Sequence, residues 1–467
     1  MDTVTAKNVF LKNESEARGY CRHFDTVFTS ACGSVMRDAD NRQYIDFLAA
    51  CGALNYGHND PDMSGALIEH IAQNGMSACL DMYSDAKAAF LDSLDRLILQ
   101  PRGLKYRVQF TGPTGTNAVE AALKLARKVT GRTNIISFTN GFHGVSLGSL
   151  AATGNRYHRM GATLPGVTRA PFAGYMGPEV DTAEYLEKIL SDPSGGVEPP
   201  AAILLETVQG EGGLNNASGQ WLQRIASIAA RHGALLIVDD IQAGCGRTGT
   251  FFSFEKMGIT PDLVTLSKSI SGYGLPMALV LIKPEYDQWG PAEHNGTFRG
   301  NTHAFVTARV ALQKFWADAS FSKTIFLRAR IVNRCLSQIS RKLPGSYLKG
   351  RGMMQGLCVG SGKLATAICN QCFQDGLICE TSGPRGEVIK ILAPLTTPDD
   401  LLEQGLTILG SAVQKVVENI GCHVAPGALM PPDSDRISQP ARPLQLFQIP
   451  VNGHSFHLNQ HGLINGL

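Results

Sequence analysis

Six short apolar runs, separated by longer stretches with helical periodicity, constrain the fold of this chain more than any other feature. The runs are rich in valine, isoleucine and leucine and lie at 107–110, 134–138, 202–206, 234–239, 262–266 and 278–282. Such runs are typical of buried strands. Between them, apolar side chains recur every three or four residues, as from Val119 to Val129 and from Trp221 to Ala229, which indicates helices with one buried face. The alternation predicts an α/β fold with a mostly parallel sheet covered by helices.

The length of the chain predicts further units around this sheet. With 467 residues, the chain is too long for a single hydrophobic core. We expect a large domain at 60–315 and a smaller α+β domain at 316–423, to which an N-terminal segment at 1–59 contributes. This segment contains a predicted hairpin around the turn at 38–41. Prolines recur after residue 425, so we expect 424–467 to form an extended tail.

Charge and hydropathy exclude several classes of protein. The 42 basic and 40 acidic residues nearly cancel and form no basic block, so no nucleic-acid partner is expected. No uncharged apolar run is long enough to cross a bilayer, and charged residues interrupt the first twenty positions, which argues against a membrane span or a secretory signal. The eleven cysteines are scattered and odd in number. We therefore expect free thiols and a cytoplasmic location.

Three strand ends carry residues suited to one binding site. The turn at 111–117 contains Gly115 and Thr116 and opens a helix predicted from Ala118, and a helix N-terminus is suited to a phosphate group. Asp239 ends the run at 234–239, where a carboxylate can keep a heteroaromatic nitrogen protonated. Lys268 directly follows the run at 262–266, and a desolvated lysine there would be a nucleophile for an aldehyde. Each signal is weak alone, since most glycine turns bind nothing, Asp239 could equally cap a helix, and most lysines are solvated.

These motifs together resemble those of class III aminotransferases of fold type I, over nearly the whole chain up to about Cys422. The stretches Val-Asp-Asp-Ile-Gln at 238–242 and Ser-Lys-Ser at 267–269 have the order and spacing of that family. The resemblance implies the cofactor pyridoxal 5′-phosphate, bonded covalently to Lys268. It also implies that Asp239 pairs with the pyridine nitrogen, Gln242 hydrogen-bonds the phenolic oxygen, and Gly115 and Thr116 hold the phosphate.

Two further loops extend the resemblance. The Gly-Phe-His-Gly stretch at 141–144 is similar to the loop whose aromatic residue stacks on the cofactor, which implies this role for Phe142. We interpret His143 as a packing residue rather than a proton-transfer group. The stretch at 296–301 resembles the segment in which a threonine, here Thr297, reaches the phosphate of the neighbouring subunit. The resemblance thus implies a homodimer or a higher homo-oligomer.

The substrate-binding residues depart from the common family pattern. Glu206 and the Gln-Gly-Glu-Gly-Gly stretch at 209–213 match the glutamate-rich strand end, and the resemblance places Glu211 at a gate near the substrate carboxylates. Many members have an arginine where this chain has Lys390. Lysine cannot provide the bidentate fork that arginine offers a carboxylate. We retain Glu211 and Lys390 as predicted substrate-binding residues.

Besides having Lys390 in place of the common arginine, the chain resembles one branch of the family, the diaminobutyrate–2-oxoglutarate aminotransferases. The stretches that carry this similarity lie at 15–22, 53–59, 111–128, 239–247, 267–276, 294–301 and 380–395. The implied substrates are L-glutamate and L-aspartate 4-semialdehyde, and the implied products are 2-oxoglutarate and L-2,4-diaminobutyrate, a precursor in ectoine or siderophore synthesis.

Several other functions are compatible with parts of this pattern. An aminomutase, a racemase or another ω-amino acid aminotransferase would share every cofactor residue. A non-catalytic scaffold would be expected to lose Lys268 or Asp239, and a nucleotide-binding module would carry a Gly-Lys-Ser/Thr ending that the turn at 111–117 lacks. Cys369 and Cys372 have helical spacing, which favours a packed helix face over a metal or redox pair. We expect no metal, including at the tail histidines His454, His457 and His461.

Overall fold

The computed structural model describes residues 3–161, 164 and 166–421. The strands are β1 (Phe28–Cys32), β2 (Val35–Asp38), β3 (Gln43–Asp46), β4 (Arg107–Phe110), β5 (Asn134–Phe138), β6 (Val167–Ala170), β7 (Pro200–Leu205), β8 (Val208–Gln209), β9 (Asn215–Asn216), β10 (Leu235–Asp239), β11 (Leu263–Leu266), β12 (Leu279–Ile282), β13 (Tyr347–Arg351), β14 (Met354–Cys358), β15 (Leu377–Ile378), β16 (Glu380–Ser382) and β17 (Val388–Ile391). The α-helices are α1 (Thr3–Asn13), α2 (Ala49–Gly52), α3 (Pro61–Ala72), α4 (Asp85–Leu94), α5 (Gly115–Thr130), α6 (Leu147–Ala152), α7 (Thr182–Ser191), α8 (Gly219–Arg231), α9 (Thr302–Phe315), α10 (Ser320–Lys342), α11 (Gly362–Gln374) and α12 (Asp399–Gly421).

The central sheet has the strand order β4-β12-β11-β10-β7-β5-β6. The neighbouring pairs β11–β10, β10–β7, β7–β5 and β5–β6 are parallel. Strand β12 runs antiparallel to both of its neighbours, β11 and β4. All six predicted strands are present in this sheet, within one or two residues of the expected bounds. The mostly parallel α/β architecture is therefore confirmed. The carboxyl ends of the parallel strands meet at one edge, which is where ligands bind in such sheets.

The helices that cover the central sheet bury the faces predicted from their periodicity. Helix α5 begins at Gly115, three residues before the predicted start, because the Thr114 hydroxyl caps it by accepting from the Asn117 amide. Its buried side consists of alanine, valine and leucine packed against the sheet. Helix α8 is capped in the same way by Ser218 and buries Trp221, Leu222 and Ile225 against the other face. The sheet is thus covered on both faces, as expected for a parallel sheet.

Two four-stranded sheets flank the central one. The first has the order β1-β2-β3-β15, and its β2–β3 hairpin confirms the predicted turn at 38–41. Strand β15, more than 300 residues later in the chain, pairs in parallel with β3, so the N-terminal segment and the C-terminal part share one sheet. The second has the order β13-β14-β17-β16 and packs with α10 and α11, and α12 packs against both of these helices.

The predicted domain boundaries stay predictions, because the described residues all lie in a single compact unit. The predicted tail at 424–467, with its three histidines, lies outside the described residues. Cys369 and Cys372 are buried on one face of α11, which confirms their interpretation as packing residues. None of the helices in the described ranges has the length and hydropathy needed to span a membrane.

Candidate active site

A cavity of about 660 Å³ lies at the carboxyl edge of the central sheet. Its walls bring together most of the residues predicted for the site, which are Gly115, Thr116, Phe142, Glu211, Asp239, Gln242 and Lys268. Thr297 is exposed and Lys390 is completely buried, and neither is on this wall in the single chain. The cavity wall also includes Tyr20, Cys51, Arg156, His158 and Glu206.

Asp239 ends β10 and is held by three polar contacts. Its Oδ2 lies 2.7 Å from His143 Nδ1, and its Oδ1 accepts from the Thr265 hydroxyl at 3.1 Å and from the Ile241 amide at 3.3 Å. Both Asp239 and His143 are buried. Burial disfavours the charge of His143, but the hydrogen bond and the negative charge of Asp239 outweigh it and raise the pKa of the imidazole. The pair thus fixes the orientation of the carboxylate at the cavity wall.

Lys268 follows β11 in a strained backbone conformation. Its φ is +52°, in the left-handed region that lysine rarely adopts. Its Nζ donates to the Cys51 carbonyl at 2.9 Å, and Gln242 Nε2 donates to the same oxygen at 3.0 Å. The strained turn aims a half-buried amine into the cavity rather than toward solvent.

The shared acceptor, Cys51, belongs to the short element α2, which is a single left-handed turn and not a regular α-helix. Ala49, Ala50 and Cys51 have φ values of 46°, 47° and 57°. Asp46 stabilises the entry to this turn, since its Oδ1 accepts from the Leu48 and Ala49 amides at 2.8 Å each. The N-terminal segment therefore supplies the backbone oxygen on which the Lys268 amine rests.

Gln242 carries an unsatisfied polar atom. Its Nε2 also donates to Glu211 Oε1 at 3.0 Å. Its Oε1 is buried and has no hydrogen-bond partner among the described residues. A Cβ on Gly210 would collide with this oxygen, so glycine is needed there for the close approach of the two segments. A buried acceptor at a cavity wall indicates a site for a ligand hydroxyl group.

The first turn of α5 forms another wall of the cavity. Gly115 begins the helix, and a Cβ there would lie 3.0 Å from the Ile241 side chain. The Thr116 hydroxyl hydrogen-bonds Ser149 and accepts from the Ser146 amide at 3.3 Å. The free amides and the positive end of the helix dipole make this wall suited to an anion.

Glu206 is a buried carboxyl group behind the 141–144 loop. Its two oxygens accept from the Phe142 amide at 3.0 Å and from the Gly210 amide at 3.1 Å. Burial raises the pKa of Glu206 to about 7. The contacts tie the half-buried Phe142 to the end of β7 and keep its ring at the cavity.

Lys390 is completely buried and bridges two carboxylates. Its Nζ lies 2.9 Å from Glu211 Oε1 and 2.7 Å from Glu380 Oε1. Burial opposes the lysine charge, but the two carboxylates outweigh it and raise the pKa of Lys390. Burial also opposes the charge of Glu211, yet Lys390 lowers the pKa of that carboxyl to about 2. Lys390 thus lies behind Glu211, and its direct contact with a substrate stays a prediction.

Comparisons with known proteins identify the family. The sequence profile described as aminotransferase class-III matches residues 17–413. The chain belongs to the class III aminotransferases. Two similar relatives are named diaminobutyrate–2-oxoglutarate transaminase. The one from Vibrio cholerae is 57% identical over 406 residues, which cover 86% of this chain and 98% of the relative. The one from Nocardia farcinica is 52% identical over 421 residues, which cover 90% of this chain and 97% of the relative.

A solved structure agrees with the fold of this aminotransferase. The transaminase from the marine bacterium Virgibacillus superposes with a TM-score of 0.81 at 19% sequence identity, covering 89% of this chain and 100% of that chain. The fold type I architecture predicted from the sequence is thereby confirmed.

The sequence interpretation of this aminotransferase missed two residues of the site. His143 was interpreted as a packing residue, whereas its imidazole is hydrogen-bonded to Asp239. The only signal was its place beside Phe142, since Asp239 lies 96 positions later. Glu380 was not singled out at all. Its alignment with Lys390 depends on the pairing of β16 with β17, which no spacing in the sequence indicates.

Proposed function

We propose that this aminotransferase binds pyridoxal 5′-phosphate in the cavity and converts L-aspartate 4-semialdehyde and L-glutamate to L-2,4-diaminobutyrate and 2-oxoglutarate. The observation that carries the proposal is the convergence of Lys268, Asp239 and Gln242 on one cavity. The choice of substrates is supported by relatives that are more than half identical over nearly their whole length and carry that activity in their name.

The residues present fit the cofactor. The first turn of α5, with Gly115 and Thr116, would hold the phosphate group. Asp239 would pair with the pyridine nitrogen, and the unsatisfied Gln242 Oε1 would accept from the phenolic hydroxyl. Phe142 supplies an aromatic wall. When bound, this cofactor supplies an electron sink for the carbanion left after a C–H bond breaks.

Lys268 has two tasks in this proposal. Its ε-amino group would hold the cofactor covalently, which requires a neutral amine at a desolvated position. When it is free, the same amine takes the proton from Cα of glutamate and, in the second half of the reaction, gives a proton to C4 of the product diaminobutyrate. In the structure the amine rests on the Cys51 carbonyl at 2.9 Å, so it is positioned by a neutral acceptor rather than by an ion pair.

The carboxylate of Asp239 places a negative charge on the cavity wall, away from the Lys268 amine. Its hydrogen bond with His143 and its burial fix one oxygen and exclude water from the contact. A positioned carboxylate favours the protonated state of a heteroaromatic nitrogen beside it. His143 is therefore a positioning residue, because it acts through Asp239.

We place the active enzyme in a homodimer, with Thr297 of each chain completing the phosphate site of the other. Thr297 is exposed in the single chain, and the adjacent Phe298 is 70% exposed. Tyr157, next to the cavity residues Arg156 and His158, is 71% exposed. Large apolar side chains at such positions are typical of a surface covered by a second protein, and homo-oligomers are most often twofold symmetric.

The partners that we expect are small amino acids and 2-oxo acids. A cytoplasmic location fits the same proposal. The ten cysteines within the described ranges are all free thiols, which is typical of a reducing compartment.

The test is to record the visible absorbance of the cofactor-loaded protein and to add L-glutamate, L-2,4-diaminobutyrate or L-ornithine separately. We expect glutamate and diaminobutyrate to bleach the yellow colour and ornithine to have little effect. A yellow protein that glutamate leaves unchanged would refute transamination and favour an aminomutase or a racemase, which need no 2-oxoglutarate. A protein that stays colourless with pyridoxal 5′-phosphate would refute the cofactor assignment.

A further inference from the structure

The buried cluster of Lys390, Glu211 and Glu380 contains more negative than positive groups. Lys390 and Glu380 face each other on adjacent strands, β17 and β16, and Glu211 approaches the same ammonium group from the end of β8. One lysine therefore neutralises only one of two carboxylates. Burial raises the pKa of Glu380, and Glu211 raises it further against the opposing effect of Lys390. The charge of Lys268 also lowers the pKa of both carboxyls, so a second cation is accommodated beside the cluster.

The two carboxylates are placed differently. The Glu380 side chain is 11% exposed, and its Oε2 accepts from the Tyr20 hydroxyl at 3.2 Å. The Glu211 side chain is 35% exposed and lies on the cavity wall. Its Oε1 accepts from Lys390 and from Gln242, while no hydrogen bond to its Oε2 occurs among the described residues. Glu380 is therefore the inner partner of Lys390, and Glu211 is the partner that faces a ligand.

A buried lysine without a counter-ion is strongly destabilising. With Glu380 in place, Lys390 stays paired even when Glu211 turns its charge toward the cavity. Without Glu380, the charge of Glu211 would be needed to neutralise Lys390. With Glu380 as a second counter-ion, Lys390 therefore does not depend on the charge of Glu211.

Resting on the function proposed above, we propose that Glu380 determines specificity by holding Lys390, so that Glu211 binds the α-ammonium group of the four-carbon substrates. L-2,4-Diaminobutyrate and L-aspartate 4-semialdehyde both react at C4 and keep an ammonium group on C2, which would lie away from Lys268. L-Glutamate reacts through its own α-amine and has no second ammonium group. Glu380 acts through Glu211 and is a positioning residue, whereas Glu211 contacts the substrate.

The test compares two amino donors that share the reacting end. 4-Aminobutyrate has the same C4 amine and C1 carboxylate as diaminobutyrate but lacks the α-ammonium group. The ratio of kcat/KM for diaminobutyrate to kcat/KM for 4-aminobutyrate, with 2-oxoglutarate as acceptor, is measured in the cofactor-loaded wild type and in Glu380→Gln. We expect the ratio to fall at least about tenfold, the loss of one hydrogen bond to a charged group, mainly through KM for diaminobutyrate. Because both kcat/KM values are measured on the same preparation, their ratio does not change when part of the enzyme is inactive.

Three further variants complete the experiment. Glu380→Asp keeps the charge and should restore most of the ratio, and Glu211→Gln should lower it as Glu380→Gln does. Asp375→Asn, which removes a surface carboxylate paired with Lys415, should leave the ratio unchanged. An equal loss with both donors in Glu380→Gln, or an unchanged ratio in Glu211→Gln, would overturn the inference while the proposed function stands. A wild type that transaminates glutamate but not diaminobutyrate would overturn both.

Discussion

Replacing Lys390 by methionine removes the one cation that lies within 3 Å of Glu211 and Glu380 among the described residues, while keeping the volume of the side chain. The two carboxylates then lose the counter-ion that they share. Removing one partner of a buried ion pair typically costs about 3–5 kcal/mol. For a folded unit of this size, that corresponds to a fall in Tm of about 3–6 °C near neutral pH. The measurement is thermal unfolding of the cofactor-free protein, followed by circular dichroism.

The loss of stability in Lys390→Met should be larger at high pH than at low pH. In Lys390→Met, both carboxyl groups have folded-state pKa values above their unfolded values, because burial and mutual repulsion are no longer opposed. The deficit relative to wild type is therefore largest at about pH 7.5 and shrinks as the pH falls toward about 5 and the carboxyls are protonated. Lys415→Met, which removes a half-exposed lysine bound to Asp375, is the matched control and should cost less than about 1 kcal/mol. A deficit in Lys390→Met as small as that control, or one independent of pH, would refute the reasoning.

Three other predictions concern the cavity. Lys268→Ala should eliminate the visible absorbance of the covalently bound cofactor and reduce turnover with glutamate to background, and measurable turnover would contradict its role. His143→Leu should weaken cofactor binding and lower kcat by about tenfold, the value of one hydrogen bond to a charged group, and an unchanged cofactor Kd would show that His143 only packs. Glu206→Gln should flatten the profile of Tm against pH. Since the folded pKa of Glu206 is about 7 and its ordinary value is 4.5, this carboxyl makes the wild type lose stability as pH rises between those values, and a variant that keeps that slope would contradict the assignment.

The sequence was sufficient for the parts of the fold that depend on local pattern. Each fully buried strand of the central sheet appears as an apolar run, and α5 and α8 appear as apolar stripes. Strand β6 was not predicted. It lies at the sheet edge, pairs only with β5, and has three half-buried residues of four. With Thr168 and Arg169 at its centre and no large apolar residue after Val167, β6 does not give the apolar run that identified the inner strands.

Residues of the site, like elements of the fold, were predictable where they depend on local sequence pattern and not where they depend on strand pairing. The convergence of Asp239 and Lys268 was predictable because parallel strands bring their carboxyl ends to one edge, whereas Gln242 was implied by the family resemblance. The partner of Lys390 was not, because the pairing of β16 with β17 depends on sheet register, which the short strands do not specify. Lys390 was thus predicted as a substrate ligand, whereas it is completely buried in β17 and paired with Glu380, a residue ten positions earlier.

The Lys268 amine rests on a main-chain oxygen, that of Cys51, and this has a consequence for how the enzyme tolerates change. A carbonyl group is common to all twenty amino acids, so no side-chain replacement at position 51 can delete the acceptor. Only a change in the backbone path can displace this acceptor. That path is set by the left-handed residues Ala49 and Ala50 and by the Asp46 side chain. The thiol of Cys51, which faces Tyr20, can therefore be replaced without deleting the acceptor, provided that the new residue tolerates the left-handed conformation at this position.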